Sequence, residues 1–448
     1  MRFTFKNIVG TLAHVAVFSL FSFTAASQVS ILDHSDNNSI ASYIPSKENL
    51  KARTDFQNDK FGIFLHWGLY SMTAQGEWYM NVRGIKWDEY EKLASGFYPS
   101  KFNASQWVSA IKAAGARYIC ITSRHHDGFS MFDTDQSDFN IVDATPFKRD
   151  ILKELSDECR RQGIALHVYY SHLDWRRADY PIGRTGRTTG RDESKQNWNS
   201  YYNFMNAQLR EILTKYNPRA IWFDGIWDKT DFDWQLEEQY ALIHSISPAC
   251  LIGNNHHITP YEGEDFQMFE RDLPGENNAG LSGQDISLLP LETCETMNGM
   301  WGYKIEDQNY KSVETVIRYL VKAAGKNANL LLNLGPQPNG ELPQMGLSIL
   351  KEVGEWLSIN GETIYGTRGG CVSPHAWGVT TSKDNKLYVH ILDLKDKSLF
   401  LPLQSRVKRA LKFVERTPIR FTRTEGGVIL HFDEVPSGVD YIVELEIK

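Results

Sequence analysis

The sequence predicts a (β/α)8-like barrel of parallel strands followed by a small antiparallel β-sandwich, and three observations carry that prediction. Over roughly residues 50–360, apolar runs alternate with amphipathic stretches of helical period, separated by short glycine or proline turns. Such alternation implies a parallel sheet with right-handed crossovers. No G-x-G-x-x-G opens the fold, so a closed barrel fits better than the open doubly wound sheet that is its alternative. After about Ile364 the pattern shortens to runs that alternate in polarity between turn signals, as an antiparallel sandwich requires.

Taken in order, the chain opens on a targeting segment. Arg2 and Lys6 form a positive start, Ile8 to Phe23 is mostly apolar, and Ala25-Ala26-Ser27 supplies small residues for cleavage. Residues 1–27 are therefore expected to be a signal peptide. A membrane anchor is the competing reading, but Thr11 and His14 interrupt the apolar run and no cysteine follows for a lipid. The mature protein is expected to lack a membrane span and to act in the periplasm or outside the cell. Residues 28–362 are assigned to a catalytic barrel domain, with 28–60 as a polar lead-in arm, and residues 363–448 to the sandwich.

The first barrel strand reads Phe61-Gly62-Ile63-Phe64-Leu65-His66-Trp67-Gly68, and Glu77-Trp78-Tyr79 follows in the loop above it. Asn103 or Ser105 caps a helix through Trp107 and Ile111 that stops near Gly115. The strand Arg117 to Ser123 then leads into Arg124-His125-His126-Asp127-Gly128. A helix from Ile151 to Arg161, stopped by Gly163, precedes the strand Ile164 to Tyr170. The polar, arginine-rich stretch Arg176 to Ser194 is either a wall of the site or a disordered surface loop. A helix near Tyr202 to Tyr216 precedes Ala220-Ile221-Trp222-Phe223-Asp224-Gly225, an apolar strand that ends on one carboxylate. Leu236 to Ile246 and Ala249 to Asn255 form the next round, and Val313 to Ala324 with Asn329 to Gly335 a later one. In the C-terminal part, runs such as Leu387 to Leu392, Val428 to Phe432 and Tyr441 to Leu445 are the sandwich strands.

Bulk composition narrows the function. The 48 basic and 55 acidic residues leave a net charge of −7 with no basic stripe, which argues against a nucleic-acid partner. Twelve tryptophans and an aromatic share of 12% exceed what a core requires and lean towards a flat ligand such as a sugar ring. The five cysteines show neither C-x-x-C pairing nor metal-type spacing, so no disulfide framework is indicated.

In a parallel barrel the carboxyl ends of the strands line the active site. Here those ends present His66, His125 and His126, Tyr169, Asp224 and Asn254-Asn255-His256. Taken singly, each histidine is a satisfied buried imidazole; together they admit two chemistries. A metal hydrolase would use His66, His125 or His126 and Asp224 as ligands. A glycosidase would use the imidazoles as hydrogen-bond donors to sugar hydroxyls and Asp224 as one of a carboxylate pair. Crowded aromatics at the same ends (Trp67, Trp78, Trp222, Trp227, Trp301) favour the sugar, with no metal or other cofactor. Acids after the Asp224 strand, among them Glu262, Glu264, Asp265, Glu270, Glu292 and Glu295, supply the second carboxylate, and spacing does not choose among them.

Several blocks in order resemble the α-L-fucosidases of glycoside hydrolase family 29: Phe61 to Gly68, Glu77-Trp78-Tyr79, Arg124 to Phe129, Asp138-Phe139-Asn140, Lys148-Arg149-Asp150, Tyr169-Tyr170-Ser171, Trp222 to Gly225 and Trp301-Gly302-Tyr303. The resemblance implies a retaining exo-α-L-fucosidase acting on fucosylated oligosaccharides or glycans, on an imperfect barrel with a C-terminal sandwich. It implies Asp224 as nucleophile, and His66, Glu77, Trp78, His125, His126, Tyr169, Trp222 and Trp301 as sugar contacts. It points to Glu270 as acid/base, ahead of Glu292 and then Glu295. Similar enzymes often carry an arginine after the fifth strand where this chain has Asn254-Asn255-His256-His257, and His256 is the expected substitute. The competing classes are a catalytically silent fucose-binding protein and a metal-dependent hydrolase.

Overall fold

A computed structural model describes residues 43–448, so the expected signal peptide at 1–27 lies outside the described residues. Eight parallel strands form the first layer: β1 (Phe61–Leu65), β2 (Tyr118–Arg124), β3 (Ala165–Ser171), β4 (Ala220–Asp224), β5 (Leu251–Asn255), β6 (Gln267–Glu270), β7 (Leu291–Thr296) and β8 (Ala328–Leu334). Their hydrogen-bonded order, β5-β4-β3-β2-β1-β8-β7-β6, is a barrel closed by ladders everywhere except between β5 and β6.

Two side chains bridge that seam. Asp265, fully buried just before β6, accepts the Ile252 amide of β5 at 2.8 Å and the Arg53 guanidinium at 2.7 Å. His244 also bonds it, at 2.9 Å, and the Asp265 amide returns a bond to the Ile252 carbonyl at 2.7 Å. At the carboxyl ends Asn255 of β5 donates to Glu270 of β6 at 2.9 Å. A short irregular stretch thus replaces a ladder, and it leaves His244 Nδ1, Asn254 Oδ1 and Asn255 Oδ1 buried without a partner among the described residues.

Five of the six helices that flank the barrel lie where the sequence predicts them; Gln344–Asn360 was not read, and the expected polar lead-in arm contains a further helix, Lys47–Asp59, capped by Ser46. Ala104–Ala113 is capped by the Asn103 side chain, Ile151–Gln162 by Asp150, Trp198–Tyr216 by Asn197 and Val313–Gly325 by Ser312. Leu236–Ile246 and Gln344–Asn360 complete the ring. No helix follows β5 or β6, whose carboxyl ends run into irregular loops. Inside the barrel, Phe64, Tyr118, Tyr169, Trp222, Phe266 and Met268 pack together. Gly62 makes room for them, since a Cβ there would lie 2.3 Å from the Tyr118 ring.

β6 and β7 are not legible as strands in the apolar pattern. They are short, and β7 reads Leu-Glu-Thr-Cys-Glu-Thr, placing carboxylates where a buried strand ordinarily carries valine or isoleucine.

The C-terminal part holds β9 (Arg368–Gly369), β10 (Gly378–Lys383), β11 (Lys386–Ile391), β12 (Ser398–Leu401), β13 (Val407–Lys412), β14 (Arg420–Thr424), β15 (Gly427–His431) and β16 (Tyr441–Ile447). A five-stranded sheet, β13-β16-β11-β10-β9, faces a three-stranded one, β12-β15-β14, across a core that includes Val389, Leu401, Leu430 and Val443. Arg318, on a barrel helix, ties the two parts by donating to the Val439 carbonyl at 2.9 Å. Among the described residues no helix is long and apolar enough to cross a membrane. All five cysteines are free thiols, and four of them are buried.

Candidate active site

The carboxyl ends of the strands converge on a cavity of about 290 Å³. All ten site residues expected from the sequence line it: His66, Glu77, Trp78, His125, His126, Tyr169, Trp222, Asp224, Glu270 and Trp301.

Asp224 is delivered by β4, whose apolar residues bury both faces of the strand up to its last position. Gly225 follows at φ +99°, a conformation that strains any side chain. The turn it permits folds Trp227 back, so that the indole N–H donates to Asp224 Oδ1 at 2.8 Å. The Gly225 amide donates to the same oxygen at 2.8 Å, and the Tyr169 hydroxyl to Oδ2 at 2.9 Å. Burial, and then repulsion from Glu270, pushes Asp224 up to about 6.

Glu270 ends β6. His257 Nε2 and Asn255 Nδ2 both donate to its Oε2, at 3.0 and 2.9 Å, and no group among the described residues bonds Oε1. Burial would raise this carboxyl, but His257, Asn255 and the charge of Arg271 outweigh it and hold Glu270 below its usual range. His257 and Arg271 have φ of +65° and +60°, so two non-glycine residues in left-handed conformations flank the carboxylate. Strain of this kind is characteristic of functional sites. The Asn255 amide also lies 3.5 Å from Asp224 Oδ1, so a single side chain reaches both carboxyls.

The Arg124 to Phe129 block owes its form to a lock beneath it. Arg124 and Asp174, both fully buried, form an ion pair, and Asp127 accepts the Tyr90 hydroxyl at 2.8 Å. A bulge between Thr122 and Arg124 shifts the β2–β3 register just before the histidines, and both His125 and His126 reach the cavity.

Hydrogen bonds fix two of the imidazoles. Asn333 donates its amide to the Trp301 carbonyl at 2.7 Å, so its oxygen must accept from His66 Nδ1, also at 2.7 Å. Ser171 donates to the Leu173 carbonyl and accepts from His126 Nδ1 at 2.7 Å. Burial pushes both rings down to about 3, so they are neutral; His66 leaves its Nε2 without a partner, and His126 turns its Nε2 towards Asp224 Oδ2, 3.5 Å away. With Nδ1 donating, His66 presents an acceptor where the sequence reading expects a donor.

Among the described residues no three His, Cys, Asp or Glu side chains converge on a point that could hold a metal ion. A deep cavity with three carboxyls, neutral imidazoles and indole walls suits a polyhydroxylated ring.

The α-L-fucosidase family model matches residues 30–362. The chain belongs to the α-L-fucosidase family. Its activity is accordingly that of a glycoside hydrolase. The rat plasma α-L-fucosidase is 31% identical over 79% of this chain and 80% of its own. The human plasma α-L-fucosidase is 30% identical over 78% of each chain. Among solved structures, α-L-fucosidase isoenzyme 1 from Paenibacillus thiaminolyticus superposes with a TM-score of 0.79 at 33% identity, covering 90% of this chain and 100% of that one.

Within this fucosidase site several details depart from the sequence reading. Glu292 lies inside the barrel, bonded to the Tyr118 hydroxyl at 2.6 Å and the Trp222 indole at 2.9 Å, and does not line the cavity. Glu295 pairs with Lys311 at 3.4 Å and does not line it either. Trp67, counted among the site aromatics, is fully buried and packs against Phe102 and Trp107. His256, expected to replace an arginine at the sugar, bonds Glu264 at 2.9 Å, and it is His257 that reaches the cavity. Sequence reasoning placed Asn255 at a strand end without giving it a role, and passed over His257, Arg184, Leu281 and Cys294 as lining residues. The others sit beyond strand ends, on loops, or on the unread β7.

Proposed function

We propose that this chain is a retaining exo-α-L-fucosidase that removes terminal fucose from fucosylated oligosaccharides or glycans, with Asp224 as nucleophile and Glu270 as acid/base. The observation that carries the reading is Asn255, whose amide nitrogen lies 3.5 Å from Asp224 and 2.9 Å from Glu270. A shared donor keeps the nearest carboxyl oxygens closer than the roughly 6.5–9.5 Å that an inverting enzyme reserves for a water between them. The cavity suits one sugar ring at a chain end. Phe64, Cys294 and Trp301 give it an apolar side for a 6-deoxy methyl group, and His66 Nε2 offers an acceptor to a hydroxyl.

In this mechanism Asp224 attacks the anomeric carbon while the proton on Glu270 Oε1 passes to the leaving oxygen. In the free site the pair takes its proton on Asp224, at about 6, and not on Glu270, which is held below its usual range. The mechanism therefore needs bound sugar to exclude water from Glu270 and raise it, while Tyr169, Trp227 and the Gly225 amide keep Asp224 ionised. Water activated by Glu270 then hydrolyses the fucosyl-enzyme with net retention. The expected site of action is the periplasm or the cell exterior, on the strength of the first 27 residues.

The test is proton NMR of the purified protein with α-1,2-, α-1,3-, α-1,4- and α-1,6-fucosylated oligosaccharides. Free fucose appearing first as the α-anomer is the expected result and identifies the linkage. First release as the β-anomer would overturn retention, and binding without release would favour a silent fucose-binding protein.

A further inference from the structure

The loop of residues 176–194 is a fixed wall beside the cavity. Asp228, buried behind it, accepts the Tyr180 hydroxyl at 2.9 Å, the Thr185 amide at 2.7 Å and the Thr185 hydroxyl at 2.8 Å. Gly183 packs so tightly on Asp228 that a Cβ there would overlap its carboxylate, and the Gly186 amide donates to Asn81 Oδ1 at 2.7 Å.

The arginines of this loop divide into two kinds. Arg176 pairs with Glu91 at 2.8 Å, Arg177 with Asp179 at 2.6 Å, and Arg191 is buried against the Tyr180 ring. Arg184 and Arg187 are exposed and have no carboxylate partner among the described residues. Arg184 lines the cavity and donates to the carbonyl of Trp227, the residue whose indole holds Asp224. Arg187 donates through Nε to the Gly183 carbonyl at 2.8 Å, which keeps the second guanidinium on the same short segment. Arg271, stacked over Trp301 at 5.1 Å, is likewise without a carboxylate partner. By contrast the cavity's carboxylates, Glu77, Asp224 and Glu270, all have donors of their own. Charge is therefore layered, with satisfied carboxylates in the site and guanidiniums without counter-ions beside it, in a chain of net charge −7. Arg184 thus adds an unpaired positive charge to the wall of a cavity whose own carboxylates are already held by donors.

We propose that the sugar carrying the fucose is acidic, bearing a sulfate or carboxylate group, and that Arg184, assisted by Arg187, recognises that anion. A guanidinium suits this task because its fork of donors matches either oxyanion. The inference rests on the fucosidase reading above and names the substrate class of the same site.

The experiment measures kcat/KM for 3-carboxamidophenyl, 3-carboxyphenyl and 3-sulfatophenyl α-L-fucosides with the wild type and with Arg184→Met. Intrinsic leaving-group differences cancel when the anionic-to-neutral ratio of one enzyme is divided by that of the other. The expected quotient is roughly fivefold in favour of the wild type, as one exposed charge contact allows. It should shrink as added salt screens the contact. Arg187→Met should lower the ratio less. Whichever anion shows the larger quotient identifies the acidic group. The same ratio in wild type and Arg184→Met, with the neutral glycoside still cleaved, overturns this inference alone. Release of fucose from none of the three overturns the fucosidase reading and this inference with it.

Discussion

Asp224 and Glu270 are chemically alike and are separated in role by their neighbours. Asp224 collects an indole, a phenol and a backbone amide, whereas Glu270 receives both of its donors on one oxygen and keeps the other bare. Asp224→Ala is expected to abolish turnover with the thermal unfolding curve unchanged; a variant of near-full activity would refute its role. Glu270→Ala should lose about 10²- to 10⁴-fold in kcat, and external azide should restore turnover by attacking the fucosyl-enzyme in place of water, giving α-fucosyl azide with net retention. With Asp224 held up at about 6, kcat/KM should fall on the acid side through roughly that pH, because the protonated carboxyl is no nucleophile. A profile flat down to pH 4 would contradict this. At the same scale, the histidines show how far residue type can mislead. Their presence at strand ends is visible in the sequence, but whether each donates or accepts is set by Asn333 and Ser171, which no pattern marks.

Strand β6 matters out of proportion to its length, because it carries Glu270 yet meets β5 without a ladder. Asp265 substitutes for that ladder through Ile252, Arg53 and His244. Asp265→Ala should cost about 3 kcal/mol, since it strands a largely buried guanidinium and an amide. It should also lower kcat, because the seam positions Asn255 and Glu270 together. An unchanged melting temperature would show that the seam is held by other contacts. Five of the six flanking helices and six of the barrel strands were legible, because caps such as Asn103 and Asp150 and apolar runs such as that ending in Asp224 are local signals. β6 and β7 were not, because β6 is four residues long and β7 carries Glu292 and Glu295, so neither presents the apolar run by which strands are recognised.

Across the whole molecule, the amino-terminal end of β1 lies beside the sandwich and holds an unusual group. Lys60 is fully buried at φ 58°, its amine has no hydrogen-bond partner, and Arg368 of β9 contributes further positive charge. Burial, with Arg368 second, pushes it down to about 7. The sign follows from linkage. The unfolded chain binds this proton more tightly, so the folded state is penalised increasingly as pH falls from about 10.4 towards 7, by about 4 kcal/mol at full extent. Lys60→Met should therefore raise the melting temperature, and more at pH 6 than at pH 9.5. Equal shifts at the two values would mean that the amine is neutral throughout or solvated.

The sequence by itself determined the order of most strands and helices, the change of pattern near residue 364, the family, and nine of the side chains that line the cavity. Those are properties of local period, of capping residues and of short motifs, all written along the chain. Tertiary structure alone decided which carboxylate faces Asp224. Glu270, Glu292 and Glu295 are equivalent as letters, and only the pleat of β6 and β7 sends the first into the cavity, the second beneath it and the third to Lys311. It also decided that the arginine-rich loop is a pinned wall. Asp228, whose three bonds fix it, lies more than thirty residues further along the chain, at a separation where sequence periodicity carries no information.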